Sequence, residues 1–187
     1  MTLGRRYRLS TGRRIGLLRE RAELTEEQFG ERLGANRYTV RFWELGRSEP
    51  TLDHLERLAS VYGVSIEWLL GKADFPINGL KLGFQACFSD DEYRRISQGY
   101  APQEMEQKWA IFLEGDVLHF HRSWTGFCIY QVTFEHHEHQ FVATEALADC
   151  FFHRGDDHYD VELLHFLIDN LLLGKAVVFP NPPHDRD

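Results

Sequence analysis

Two stretches of this 187-residue chain concentrate side chains able to do chemistry. The first, "NRYTVRFWELGRSEP" (36–50), gathers Asn36, Arg37, Tyr38, Thr39, Arg41, Phe42, Arg47 and Ser48. Amides, hydroxyls and guanidinium groups of this kind can bond base edges and phosphate oxygens. The same stretch also suits an amphipathic helix whose aromatics face a core. The second, "HFHRSWTGF" (119–127), alternates so that His119 and His121 share one strand face with Phe120 opposite. Arg122, Ser123, Trp124 and Thr125 then bunch before Gly126, a set able to hold a phosphate, a carboxylate or a base. A hairpin whose Trp plugs the core and whose Arg and Ser cap it explains them equally well.

Other candidate chemistry is weaker. "EHHEH" (135–139) invites a metal reading, but adjacent histidines on a strand point to opposite faces, so a solvated turn and no metal site are expected. Cys87, Cys128 and Cys150 are odd in number and widely spaced, as expected of reduced thiols in a cytoplasmic protein. There is no P-loop, dinucleotide-binding glycine pattern, Gly-x-Ser-x-Gly or metalloprotease motif. The expectation is therefore neither an enzyme nor a cofactor protein.

The net charge of -8 argues against a general nucleic-acid coat, but it is unevenly distributed. Residues 1–72 hold 13 Lys/Arg against 10 Asp/Glu, whereas residues 73–187 hold 8 against 19. Such asymmetry predicts two domains with different partners. Arg5, Arg6, Arg8, Arg13 and Arg14 form a basic N-terminal run that suits either a phosphate-binding arm or a solvated tail. No apolar run approaches the ~18 residues a membrane span needs.

Periodicity and turn signals divide the first 71 residues into five short helices. Ile15, Leu18 and Ala22 line the first. "TEEQ" (25–28) has the form of a capping box, opening a helix with Phe29 and Leu33 that ends at Gly34. "GAN" leads into a third helix in which Val40 and Trp43 face inward, and Gly46 follows it. Leu52, Leu55, Leu58 and Ala59 are in phase in the fourth, and "SIEWLLG" closes the unit. Two helices joined by three or four residues with a glycine form a helix-turn-helix.

Residues 12–71 resemble the Cro/cI-like (XRE-type) helix-turn-helix domain of phage repressors and bacterial regulators. The Leu-Thr start, the Leu-Gly before the turn, the "W-E-x-G-x-x-x-P" ending and the closing "W-L-L" carry the resemblance. It implies a five-helix bundle whose third helix enters the DNA major groove while the second crosses the backbone. On that reading Thr25, Glu26, Gln28, Asn36, Arg37, Tyr38, Thr39, Arg41 and Phe42 face DNA, and Arg47 and Ser48 contact phosphate. Arg19 and Glu44 match a family ion pair between the first and third helices. Glu26, Gly30 and Phe42 depart from the usual Gln, Ala and polar reader, so base preference does not transfer from relatives. The resemblance implies double-stranded DNA as partner and a homodimer on paired half-sites.

Beyond a connector at 72–84, "SDDEYRRISQG" carries a second capping-box signature, and "PQEME" suggests one more helical turn. The pattern then shifts to period two: "KWAIFLEGDVLHFHRS" reads as a hairpin, "GFCIYQVTFE" as a third strand and "QFVATEALAD" as a fourth. A long apolar helix follows from about 159 to 173, apolar nearly all round and so buried or shared between subunits. The expected architecture is an all-α helix-turn-helix bundle (1–71) and a linker (72–84), followed by a small α+β domain with an antiparallel sheet (85–180) and a tail (181–187). The corresponding function is a sequence-specific transcriptional regulator, a repressor or autoregulator, whose second domain senses a small molecule, binds a protein or assembles dimers. Two alternatives stay open: an enzyme or toxin-like effector fused to a DNA-binding domain, and an antitoxin-like interaction protein.

Overall fold

A computed structural model of the protein describes residues 9–104, 106–150 and 156–181. The chain divides into two compact units, one ending at Ile77 and the other beginning at Asn78. Arg5, Arg6 and Arg8 of the basic run, part of the 154–160 loop and most of the 181–187 tail lie outside the described residues. Among the described residues, no helix is long and apolar enough to cross a membrane.

The N-terminal unit contains α1 (Thr11–Arg21), α2 (Glu26–Leu33), α3 (Arg37–Glu44), α4 (Leu52–Tyr62) and the short α5 (Ile66–Leu69). Each opens on an N-cap that accepts a first-turn amide: Ser10, Thr25, Asn36, Thr51 and Ser65. Ile15, Leu18, Phe29, Leu33, Val40, Trp43, Leu55 and Leu58 form the core, as their helical spacing predicts, and Trp68 and Leu69 of α5 complete it. Leu52, although in phase, is exposed.

Two glycines set how closely the helices approach. A Cβ on Gly12 would overlap the Trp43 carbonyl oxygen, and one on Gly30 would overlap the Ala35 carbonyl oxygen. Gly12 thus seats α1 against α3, and Gly30 seats α2 against the turn. Gly34 ends α2 in the left-handed conformation at φ 70°.

The 72–84 stretch is shared between the units. Ser65 N donates to Pro76 O at 2.7 Å and Arg14 Nη1 to Ala73 O at 3.0 Å, which ties residues 73–76 to the helical bundle. Leu80–Lys81 is instead a strand, β1, of the second unit.

That unit is an antiparallel sheet in the order β1-β6-β5-β4-β3, with β2 (Cys87–Ser89) also on β6. β3 (Trp109–Glu114) and β4 (Val117–Arg122) form a hairpin closed by Gly115 and Asp116. β5 (Cys128–His137) and β6 (Gln140–Ala148) form another, turning at Glu138 and His139. His136, His137 and His139 are exposed there. Between β2 and β3 lies α6 (Asp90–Ile96), with Ser89 and Glu92 forming its capping box. The extra turn expected at "PQEME" is not helical at its described residues.

α7 (Asp157–Phe166) continues as a π-helical segment, Leu167–Leu172. Its wider turn, seen in the Leu173 N to Ile168 O bond of 3.0 Å, shifts the helical phase. Leu172 and Leu173 are therefore both buried, along with Leu163, Leu164, Leu167 and Ile168, against Phe120, Tyr130, Val132 and Phe134 of the sheet. This intramolecular packing accounts for the near-continuous apolar character of the helix.

The glycine contacts predict opposite outcomes for one substitution. Gly16→Ala places its methyl at an ordinary 3.6 Å from Glu44 Cδ and raises stability by up to about 1 kcal/mol through helix propensity. Gly30→Ala lowers it by about 1–3 kcal/mol through overpacking. Urea unfolding of the two variants checks the signs.

Candidate nucleic-acid interface

α3 has one sealed side and one open side. Val40 and Trp43 are buried, while Arg37, Tyr38, Arg41 and Phe42, at helical positions i, i+1, i+4 and i+5, stand in solvent. Tyr38 is 56% exposed and Phe42 43%, high values for aromatics on a short helix. Arg37 is organised by its neighbour: Nη2 donates to Tyr38 Oη at 2.7 Å, and Cζ lies 4.6 Å from the Tyr38 ring centroid. That hydrogen bond is the first cause holding the Arg37 guanidinium above its ordinary pKa.

The polar residues around this face divide their work. Asn36 Oδ1 accepts from Thr39 N at 2.9 Å and from Thr39 Oγ1 at 3.1 Å, so both side chains close the helix start. Thr25 and Gln28 form a reciprocal capping box: Gln28 Oε1 accepts from Thr25 N at 3.0 Å, and Thr25 Oγ1 accepts from Gln28 N at 3.2 Å. The Gln28 carbonyl thus serves the cap, which leaves its amide NH2 as the donor to offer outward. Glu26 and Glu27 in the first turn suit the helix dipole but repel phosphate. Arg47 N and Ser48 N both donate to Phe42 O, at 2.8 and 3.3 Å, which folds these exposed residues back over the end of α3.

A clamp fixes the direction of α3. Arg19 meets Glu44 side-on, with Nε–Oε1 at 2.6 Å and Nη2–Oε2 at 3.0 Å, and its Nη1 donates to Leu24 O at 3.1 Å. The Glu44 hydrogen bond is the main cause raising the Arg19 pKa. Behind it, Trp43 packs edge-on against His54 at 4.8 Å.

Of the basic run, Arg13 is exposed and pairs with Glu20 at 3.2 Å. Arg14 departs from the expected arm: it is buried, with Nε on Leu9 O at 3.2 Å and its guanidinium 5.1 Å from the Trp68 ring centroid. It holds the bundle together and is not available to a phosphate.

The structure does not gather the His119–Thr125 stretch into one pocket. His119 and His121 are buried beside Phe112, at ring distances of 5.2 and 5.0 Å. Ser123 Oγ donates to Gln107 O at 2.8 Å, Thr125 Oγ1 accepts weakly from Phe127 N at 3.5 Å, and Trp124 is 68% exposed rather than in the core. Arg122 stacks on Trp109 at 4.3 Å and, with it, lines a cavity of about 470 Å³ that also includes Tyr159, Phe166 and Asn170. The part played by Trp109 and α7 was not visible in the sequence, because it depends on which strand neighbours Arg122. Deeper in, the Tyr130 hydroxyl donates to Asp160 at 2.5 Å; burial above all, then that bond, raises its pKa.

Comparison with known proteins matches the helical unit. Residues 15–69 fit the helix-turn-helix family. The uncharacterized HTH-type transcriptional regulator YobD of Bacillus subtilis (strain 168) is 36% identical over 63 residues, 34% of this chain and 56% of that protein. Residues 15–69 are a Cro/cI-like helix-turn-helix domain. The chain thus spans little more than half the length of this curated relative. The P22 c2 repressor, solved in complex with synthetic operator 9T in the presence of Tl+, is 23% identical with a TM-score of 0.33, covering 35% of this chain and 98% of that one. In the Cro/cI-like domain α2 and α3 are the helix-turn-helix pair.

The clamp makes a measurable claim. Arg19→Ala and Glu44→Ala should each cost about 1.5–3 kcal/mol, the range for hydrogen bonds to charged groups. The double variant should lose less than the sum, by at least about 0.5 kcal/mol. A strictly additive result in a urea double-mutant cycle shows that the pair is not coupled.

Proposed function

We propose that this protein is a sequence-specific, double-stranded-DNA-binding transcriptional regulator that acts as a repressor or autoregulator. One observation carries the reading: a rigidly clamped recognition helix presents Arg37, Tyr38, Arg41 and Phe42 together on its solvent side. Arg37 and Arg41 each have the fork of donors that reads guanine O6 and N7, and the Phe42 ring suits a thymine methyl. Arg47 and Ser48, at the end of α3, are placed for phosphate contacts, which position the helix without reading sequence. As in other helix-turn-helix proteins, two copies on half-sites about 34–36 Å apart are the expected arrangement.

The C-terminal unit is read as the effector-receiving half. The cavity of about 470 Å³ supports this, with a guanidinium over an indole and further aromatic and amide groups at its wall. Such a lining suits a small molecule carrying a carboxylate or phosphate on an apolar or aromatic body. The reading assigns no catalytic step to the chain.

Binding measurements on selected duplexes test the proposal. Arg37→Ala should lose about 1–3 kcal/mol of discrimination at one base position. Arg47→Ala should weaken every duplex alike and reduce the salt slope of binding by about 1. Unchanged binding in both variants overturns the docking of α3. For the second unit, an anionic aromatic compound that raises the melting temperature of the wild type should have no effect on Arg122→Ala.

A further inference from the structure

We infer that the C-terminal unit holds a site for a divalent metal ion of the zinc class, with His119, His121 and Cys128 as its ligands. The ligand atoms of the three side chains lie within 4.8 Å of one another, and all three residues are buried.

The sheet builds the trio. His119 and His121, two apart on β4, point to the same face, away from Phe120 and the main core. Regular alternation on β5 would send Cys128 to the core side with Tyr130, Val132 and Phe134. Instead the register shifts between Phe120 and His121, so that Phe120 pairs with Tyr130 and His121 with Cys128. A bulge of this kind re-aims a side chain, and here it sets a thiol directly across from an imidazole.

Hydrogen bonding orients one ligand for metal. His121 Nδ1 lies 2.9 Å from the Gly126 carbonyl oxygen. A carbonyl only accepts, so Nδ1 carries the proton and the Nε2 lone pair of the neutral ring is the coordinating one. That atom is closed off from solvent. An imidazole fixed through its far nitrogen by a backbone carbonyl is the usual support of a metal-bound histidine. His119 Nδ1 lies 3.2 Å from Gln131 Nε2, a donor in this orientation; turning the amide so that its oxygen accepts from Nδ1 gives the second ring the support that Gly126 gives the first.

Two imidazoles and a thiolate make a borderline-soft donor set that favours zinc over calcium or magnesium. Tetrahedral bond lengths separate ligand atoms by roughly 3.3–3.8 Å, so small side-chain rotations close the site. A fourth donor, water or another group, completes the tetrahedron. Binding converts the Cys128 thiol to a metal thiolate and releases its proton, so affinity rises with pH.

The full-length protein, stripped with chelator and titrated with Co²⁺ and Zn²⁺, tests the site. The expected result is a single equivalent of Co²⁺ giving a thiolate-to-cobalt charge-transfer band, which Zn²⁺ abolishes by displacement. The metal should also protect Cys128 from alkylation while exposed Cys87 stays reactive. Cys128→Ser should remove the band and weaken binding at least roughly 10-fold, and Gln131→Leu should weaken it by about 10–100-fold. The His136→Gln, His137→Gln, His139→Gln triple variant should bind as the wild type does. Absence of the band in the stripped wild type overturns the inference whether or not any variant folds. So does loss of binding in the triple variant, which would place the metal on the exposed β5–β6 turn.

Discussion

The helical unit depends on how α3 is held against α1. Arg19 and Glu44 meet through two parallel hydrogen bonds, and a third bond from the same guanidinium reaches the Leu24 carbonyl. A few residues away, the absence of a side chain at Gly12 lets α1 reach the Trp43 carbonyl. The ion pair resists rotation of α3 and the glycine sets its distance. Neither device alone defines an angle. Together they let an eight-residue helix, too short to be stable by itself, carry exposed aromatics without collapsing them into the core.

The chain as a whole carries a net charge of -8, residues 1–72 are only slightly positive, and α2 opens on Glu26 and Glu27. On the proposed reading, attraction to DNA comes from a small number of well-placed guanidinium groups rather than from a general field. The Tyr38 ring and hydroxyl already order Arg37, which on that reading would lower the entropy lost on meeting a base. Arg14, adjacent to exposed Arg13, shows that a local run of arginines need not be one surface. Helical geometry turns one outward and the other onto Trp68.

In the second unit the informative places are those where regular structure breaks. A bulge at Phe120/His121 redirects Cys128, and the π-helical turns after Phe166 bury two successive leucines. A strictly regular sheet and helix would place Cys128 among the aromatics and leave Leu172 or Leu173 outside. The π-helical turns are stabilised by the apolar contacts they allow, which offset their widened backbone hydrogen-bonding pattern.

Local signals in the sequence determined the helix starts, the turn before α3, the inward pair Val40 and Trp43, and the β3–β4 hairpin. Caps, glycines and apolar periods act over three or four residues, so they are readable without tertiary contacts. The Arg19–Glu44 pair was legible through resemblance, and the alternation of His119 and His121 through strand geometry. Tertiary structure alone decided that Arg14 is buried, that Leu80–Lys81 joins the sheet, that Arg122 faces Trp109 rather than Trp124, and that Cys128 lies opposite His121. Each of these rests on the register or approach of elements distant in sequence. A one-residue shift in strand pairing exchanges the two faces of a sheet, and no local residue pattern specifies where a bulge will absorb that shift.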